Sequence, residues 1–271
     1  MNALAMPSRR DEAWRYSDME AVARIWPHVS DVYGPYFAFP NSYDVYDDEL
    51  TTPEGPGAMD FLVSEGATRR ISIAQITPPD ADAYERFHIE IMKGGAVHFD
   101  LLNTGGRFGR IEIEVYLSEG ASFTLNAVQI GSGAQTLEIV STVTHLEPNA
   151  ISRQTVRSIL SGGATGTYLG KVAVARGAQG TDSAQSVRAM LLDRLSTANA
   201  VPELEIFADD VKCAHGCAVG ELDAMSLFYL ASRGLDEAAA KRLLLQAFIA
   251  ELFDGQDALL EAAMARLEGV V

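Results

Sequence analysis

Three side chains stand out for chemistry: Cys213, His215 and Cys217 in the segment DDVKCAHGCAVG. Thiolate and imidazole are the donors that bind iron, zinc and copper. On an extended strand the three share one face, with neighbours roughly 6–7 Å apart. Donors to a single ion sit closer than that, so a mononuclear site needs the chain to bend at Gly216 and ligands from elsewhere. The spacing is not that of a zinc ribbon. Read from the residues alone, the triplet is better taken as two buried thiols and a hydrogen-bonded imidazole than as a site.

The other titratable groups form no comparable set. His88 and His98 fall on the polar side of alternating runs, and His145 precedes the turn Leu146-Glu147-Pro148-Asn149, so surface or hydrogen-bonded structural roles are expected. Asp47-Asp48-Glu49 and Asp209-Asp210 read as solvated acidic faces, and no acid/base pair can be assigned. Gly170-Lys171 resembles the end of a phosphate loop, but Val172 stands where a magnesium-binding hydroxyl is needed and Thr165 where glycine is required. The chain therefore carries no ATPase motif, and neither GxSxG nor GxGxxG occurs. An enzyme is not expected.

Three kinds of element must position these residues. Residues 11–26 read as a short amphipathic helix around Trp14 and Trp26, ended by Pro27. From Asp31 to Gly57 prolines mix with Tyr33, Tyr36, Phe37, Phe39, Tyr43 and Tyr46, predicting an irregular packed cover. From Phe61 to about Asp210 the period is two, as in Phe87/Ile89/Ile91, Val97/Phe99/Leu101 and Ile111/Ile113/Val115/Leu117. Glycine-marked turns separate these runs and no helix intervenes. That excludes a βαβ sheet and leaves sandwich, barrel and β-helix open. The last fifty residues switch to period 3.6. Asp223 caps one helix that Gly234 ends, Asp236 caps a second with stripes Leu244/Phe248/Leu252 and Leu245/Ile249/Phe253, and residues 257–268 make a third.

Lys plus Arg number 21 against 37 Asp plus Glu, a formal charge of −16, which repels phosphate backbones and anionic lipids. Nucleic acid and membrane are not expected partners. The first twenty residues lack an apolar export core, and the most apolar run, Leu243 to Phe253, is far shorter than the roughly 20 residues a bilayer needs. Two cysteines fit a reducing compartment, so a cytoplasmic protein is expected.

Several separated segments resemble the SufB/SufD family of the SUF iron-sulfur cluster assembly system. They are EAWRYSD (Glu12 to Asp18), THLEPNAISRQTVRSIL (Thr144 to Leu160), YLGKVAVARGAQGTDSAQSVRAMLL (Tyr168 to Leu192), PELEIFADDVKCAHG and VGELDAMSLFYLASRGL. VKCAHG resembles the SufD side of that family. The resemblance implies a mainly β fold. Its parts are a right-handed parallel β-helix over residues 61–215, a short helical and irregular N-terminal part over residues 1–60, and a C-terminal helical subdomain over residues 216–271. It implies a scaffold that pairs with a SufB-like subunit and docks a SufC-like ATPase through the helical subdomain. On that reading Phe228, Arg233, Leu245, Phe248 and Ile249 bind the partner. His215 matches the family's histidine implicated in holding or passing the nascent cluster, and Cys213 its neighbouring cysteine. No cofactor is expected to stay on the isolated chain, which could pair with itself, and the iron-sulfur cluster is transient at the SufB interface. Cys217 departs from the family pattern. The competing readings are a polysaccharide-acting β-helix enzyme, which lacks the expected basic groove here, and a small metal-binding β-barrel, which lacks its HxH pair.

Overall fold

A computed structural model describes residues 5–29, 50–51 and 57–270. The expected irregular cover lies mostly outside the described residues. A single 3-10 turn, Glu12–Trp14, precedes helix α1 (Met19–Val29). Among the described residues thirteen strands follow: β1 (Leu50–Thr51), β2 (Gly57–Val63), β3 (Thr68–Gln75), β4 (Asp82–Ile91), β5 (Ala96–Asn103), β6 (Phe108–Leu117), β7 (Ser122–Ser132), β8 (Thr136–His145), β9 (Ile151–Ser161), β10 (Thr165–Val174), β11 (Asp182–Leu191), β12 (Thr197–Ile206) and β13 (Lys212–Gly220). Helices α2 (Ala224–Ser232), α3 (Glu237–Ala250) and α4 (Asp257–Glu268) end the chain.

Every pairing is parallel and joins strands two apart in sequence, giving one sheet in the order β1-β3-β5-β7-β9-β11-β13 and another in the order β2-β4-β6-β8-β10-β12. The chain therefore winds as a parallel β-helix, one strand per sheet per turn. That settles the choice among sandwich, barrel and β-helix, and the β-barrel reading falls with it. The apolar runs read from the sequence face inward: Phe87, Ile89, Ile91, Val97, Phe99, Leu101, Ile111, Ile113 and Val115 belong to one buried core between the sheets.

The turn length varies, which is why no residue-level repeat is visible. Thr68 lies opposite Ala96, Ala96 opposite Ser122, Ser122 opposite Ile151 and Ile151 opposite Asp182, so successive turns take 28, 26, 29 and 31 residues. What recurs is one left-handed residue at one corner: Gly66, Gly94, Gly120, Asn149 and Gly180, all with φ between 63° and 74°. Each donates its amide to the next turn, Gly94 to Glu119 O and Asn149 to Gln179 O, for example. Asparagine is the non-glycine residue that best tolerates this conformation.

The N-terminal segment lies on the outer face of the six-stranded sheet. There Arg110 is fully buried. It donates to Glu112, Glu138, Ser17 Oγ (3.1 Å) and Ala13 O (2.8 Å), with its guanidinium 3.7 Å from the Trp14 ring centroid. Trp14 also meets Trp26 edge-on at 5.8 Å. The expected helix end at Pro27 is corrected: α1 begins later, at Met19, and runs through Pro27 to Val29. Ala23 and Pro27 lie on its exposed face, where water can serve the carbonyl that proline leaves without a donor.

The C-terminal helices cover the other sheet. Leu245, Ile249, Leu252, Phe253, Leu259, Ala263 and Leu267 pack on Ala74, Leu102, Val128, Ile130 and Ile159. Asp223 accepts from Ser226 N at 2.8 Å and Asp236 from Ala239 N at 2.7 Å, while Gly234 takes φ 94° to end α2, all as expected from the sequence.

Two predictions follow from buried charge. Arg110→Ala removes the buried cation between Glu112 and Glu138, so the fold should lose about 3–5 kcal/mol, and limited proteolysis should begin before Met19. Glu85 faces inward over Gly57, with neither carboxylate oxygen hydrogen-bonded, and burial pushes its pKa from 4.5 to about 8. The folded chain thus holds a proton that the unfolded chain releases above pH 4.5, and stability falls as pH rises through that window. Buried His145, pushed down from 6.5 to about 4, acts in the opposite sense at lower pH. The net fall appears between pH 6.5 and 8, at about 1.4 kcal/mol per pH unit. In Glu85→Gln, denaturant midpoints should lose that decline.

Candidate functional site

The last turn of the β-helix is formed by β12 and β13, each at the end of its sheet. Such an edge leaves backbone donors and acceptors on one side without strand partners. The two edges differ in sequence. β12 carries Pro202 in mid-strand, which cannot donate to an added strand, together with Glu203 and Glu205, which are paired with Lys171. β13, KCAHGCAVG, has no proline, a lysine only at its first position, and outward positions occupied by Ala214, Gly216, Ala218 and Gly220. Nothing in its own side chains obstructs pairing.

Cys213, His215 and Cys217 share the inward face of β13, as the strand period requires. They continue three inward rows: Ser152, Ser183 and Cys213; Gln154, Gln185 and His215; Val156, Val187 and Cys217. Cys213 is half-buried beside the cluster of Val172, Val174, Ala178 and Ala208, whereas His215 and Cys217 are exposed. Burial pushes the Cys213 thiol up, against a hydrogen bond to the Ser183 backbone, so it is protonated near neutral pH and must lose a proton to bind metal. Among the described residues no three His, Cys, Asp or Glu side chains gather into a metal-holding group. The face therefore presents thiol and imidazole donors in a row without a complete ligand set among the described residues.

Behind these donors the interior turns polar, which the sequence reading missed. Ser141 Oγ donates to Gln154 Oε1 at 2.7 Å and lies 2.8 Å from Tyr168 Oη, and Tyr168 Oη is 3.1 Å from Gln154 Oε1. Gln185 Nε2 donates weakly to the same phenol at 3.5 Å. A second chain links His145 Nε2 to Ser152 Oγ (2.9 Å) and Ser152 Oγ to Ser183 Oγ (2.8 Å). His145 is thus the buried, hydrogen-bonded histidine that was one of its two expected roles. The available signal was polar residues at inward positions, Ser152/Gln154 and Ser183/Gln185, where β4 to β7 are mostly apolar. Gly170, passed over as a failed phosphate loop, lies in β10 because the Tyr168 ring occupies its side-chain space, with a Cβ there falling 2.4 Å from the ring.

The five residues expected to meet a partner separate by place. Leu245 and Ile249 are fully buried in the helix–sheet core, and Phe248 is half-buried with Arg157 5.5 Å over its ring. Phe228 is exposed on α2, a helix without a buried residue. Met225, Phe228 and Tyr229 are 73%, 70% and 56% exposed, and their spacing puts them on one face. Arg233 lies 5.2 Å over the Tyr229 ring. Only three residues, Glu221 to Asp223, separate α2 from the end of β13.

The family described as "SUF system FeS cluster assembly, SufBD core domain" matches residues 51–248. An iron-sulfur cluster assembly SufBD family protein of Synechocystis is 34% identical over 179 residues, covering 64% of this chain and 40% of that protein. The chloroplastic protein ABCI7 of Arabidopsis thaliana is 35% identical over 155 residues, covering 56% and 33%. The iron-sulfur cluster assembly protein SufD of Escherichia coli is 36% identical over 135 residues, covering 48% and 32%. The aligned part is thus less than half the length of each of these relatives. No helix among the described residues is long and apolar enough to cross a membrane.

The polar interior can be tested directly. Gly170→Ala should displace the Tyr168 ring and cost about 1–3 kcal/mol. Tyr168→Phe should cost about 1–3 kcal/mol by stranding its hydrogen-bond partners. Because both act on one network, the double variant should lose less than the sum in urea unfolding.

Proposed function

The chain belongs to the SufBD family of the SUF iron-sulfur cluster assembly system, and from that premise we propose that it is a SufD-like scaffold subunit whose β13 edge pairs with a SufB-like subunit. The observation that carries this reading is the contrast between the two final edges: β12 is obstructed by Pro202, while β13 is open and smooth on its outward face. A partner strand added there would satisfy the exposed backbone and extend the sheet by one more rung. It would also bring its own side chains to the row holding Cys213 and His215.

The iron-sulfur cluster is cargo in this scheme. His215 offers an imidazole nitrogen at the seam, Cys213 contributes secondarily because its thiol must first ionise, and the partner supplies the remaining ligands. The exposed α2 face of Met225, Phe228 and Tyr229, with Arg233 beside it, docks a SufC-like ATPase. Leu245 and Ile249 support that face from the core, and Phe248 does so from its margin. The subunit works by holding partners, has no catalytic site of its own, and acts in the cytoplasm. Without its partner it pairs with itself through the same edge.

Co-expression with the SufB-like and SufC-like proteins of the same source, followed by size-exclusion chromatography, is the test. A three-component complex is expected. Phe228→Asp should remove the ATPase and keep the SufB-like subunit. His215→Ala, at an exposed position, should leave the complex intact and lower maturation of iron-sulfur enzymes in cells at least several-fold, while Cys217→Ser should leave maturation unchanged. Normal maturation with His215→Ala would remove the site assignment, and failure of the wild-type chain to co-elute would remove the scaffold reading.

A further inference from the structure

Three successive turns of the β-helix stack at the corner where the seven-stranded sheet passes to the six-stranded one. They are residues 76–81, 104–107 and 133–135, and hydrogen bonds tie them together. Thr104 N and Gly105 N donate to Gln75 O at 3.1 and 3.2 Å, and Arg107 N donates to Ala81 O at 2.8 Å. The Gln135 amide donates to Gly106 O at 2.6 Å. Gly106 is packed so closely that a Cβ would fall 2.3 Å from Ala81 O. The corner is therefore a fixed wall.

Against this wall lies a cavity of about 640 Å³, lined by Ile76, Thr77, Pro79, Thr104, Arg107 and Gln135 among others, with Arg266 of α4 across it. Arg266 is half-buried. Its nitrogens donate to Ser132 Oγ (2.9 Å), Gln135 Oε1 and Ile130 O (3.5 Å), all neutral acceptors. It has no carboxylate partner among the described residues, and burial pushes its pKa down from the ordinary arginine value. In a chain with 37 acidic residues against 21 basic ones, a desolvated guanidinium left without a counter-charge is an exception. A second cation stands at the rim: Arg107 shares the single carboxylate of Asp82 with Arg24. Asp80, also lining the cavity, is exposed and acts on Arg107.

We propose that this corner cavity binds a small organic molecule through an oxyanion, a phosphate or a carboxylate, held by Arg266 with Arg107 at the rim. The two guanidinium groups supply charge and directed donors. Ile76, Pro79 and Ala134 offer apolar surface to the rest of the molecule. The cavity belongs to the turns around β3 to β8, whereas Cys213 and His215 lie on β13. Three strand spacings, roughly 14 Å, separate β7 from β13. The proposal stands apart from the partner reading and survives or fails independently of it.

The test uses the full chain and two probes, inorganic phosphate and citrate, in amide NMR titrations at constant ionic strength set with chloride. Saturable shifts confined to residues 76–81, 104–107 and 132–135 are expected with at least one probe, and the tighter one identifies the oxyanion. Arg266→Gln should weaken binding at least tenfold and Arg107→Gln several-fold. Arg266 also anchors α4, so if Arg266→Gln does not fold, Arg107→Gln decides, since Arg107 is exposed at the rim. Absence of saturable binding with both probes, or affinity unchanged in the folded variants, overturns the proposal.

Discussion

Each turn of this molecule is built on the backbone of the turn before it. A parallel strand has no hairpin partner, so its amides and carbonyls are satisfied only by the strand one turn earlier and one turn later. Consecutive turns can then differ in length, as the 26-residue and 31-residue offsets show, provided that the rungs keep register. The same dependence cannot be met at the final rung. β13 is held by β11 on one side and, among the described residues, has no successor on the other. The functional reading rests on that unmet requirement, because a binding edge comes free with the architecture and has only to be left unguarded.

The interior changes along the axis in keeping with this. Around β3 to β7 it is filled by Phe87, Phe99, Phe123, Leu125 and their neighbours, which stabilise by apolar burial and close packing. Towards β13 the inward rows become Ser152, Gln154, Ser183 and Gln185, linked through Tyr168 and Ser141. Buried polar chains add less net stability than aliphatic packing, but each member has directional partners. They fix the inward orientation of the rungs behind Cys213 and His215. The two outer faces are covered differently: Arg110 and Trp14 hold the N-terminal segment by charge and aromatic contact, and α3 and α4 bind by apolar burial alone over much of their contact.

Much of this was readable from residue types. Inward positions in β4, β5 and β6 alternated cleanly, and Asp223, Gly234 and Asp236 marked helix ends because capping is a local interaction that needs no tertiary information. The choice of a β-helix came from the family resemblance, since short strands with glycine turns suit several architectures. Pro27 misled because a proline ends a helix only where the lost hydrogen bond cannot be replaced, and exposure of that face depends on the docked position of α1. Arg110 was invisible as a buried residue: Glu138 is brought to it by pairing across turns, and Ala13 and Ser17 by the docking of the N-terminal segment on that sheet. Within the site, the shared face of Cys213, His215 and Cys217 followed from strand period. The unequal exposure of the three, and the burial of Leu245 and Ile249 against that of Phe228, required the packed structure.

The central claim, that the β13 edge is the pairing surface, is tested most directly by amide hydrogen exchange on this chain alone and in complex with the SufB-like subunit. The account predicts that amides within Lys212–Gly220 exchange rapidly in the dilute isolated chain and become strongly protected in the complex, with those of β12 changing far less. Complex formation with unchanged exchange across β13, or with protection confined to β12, would contradict it.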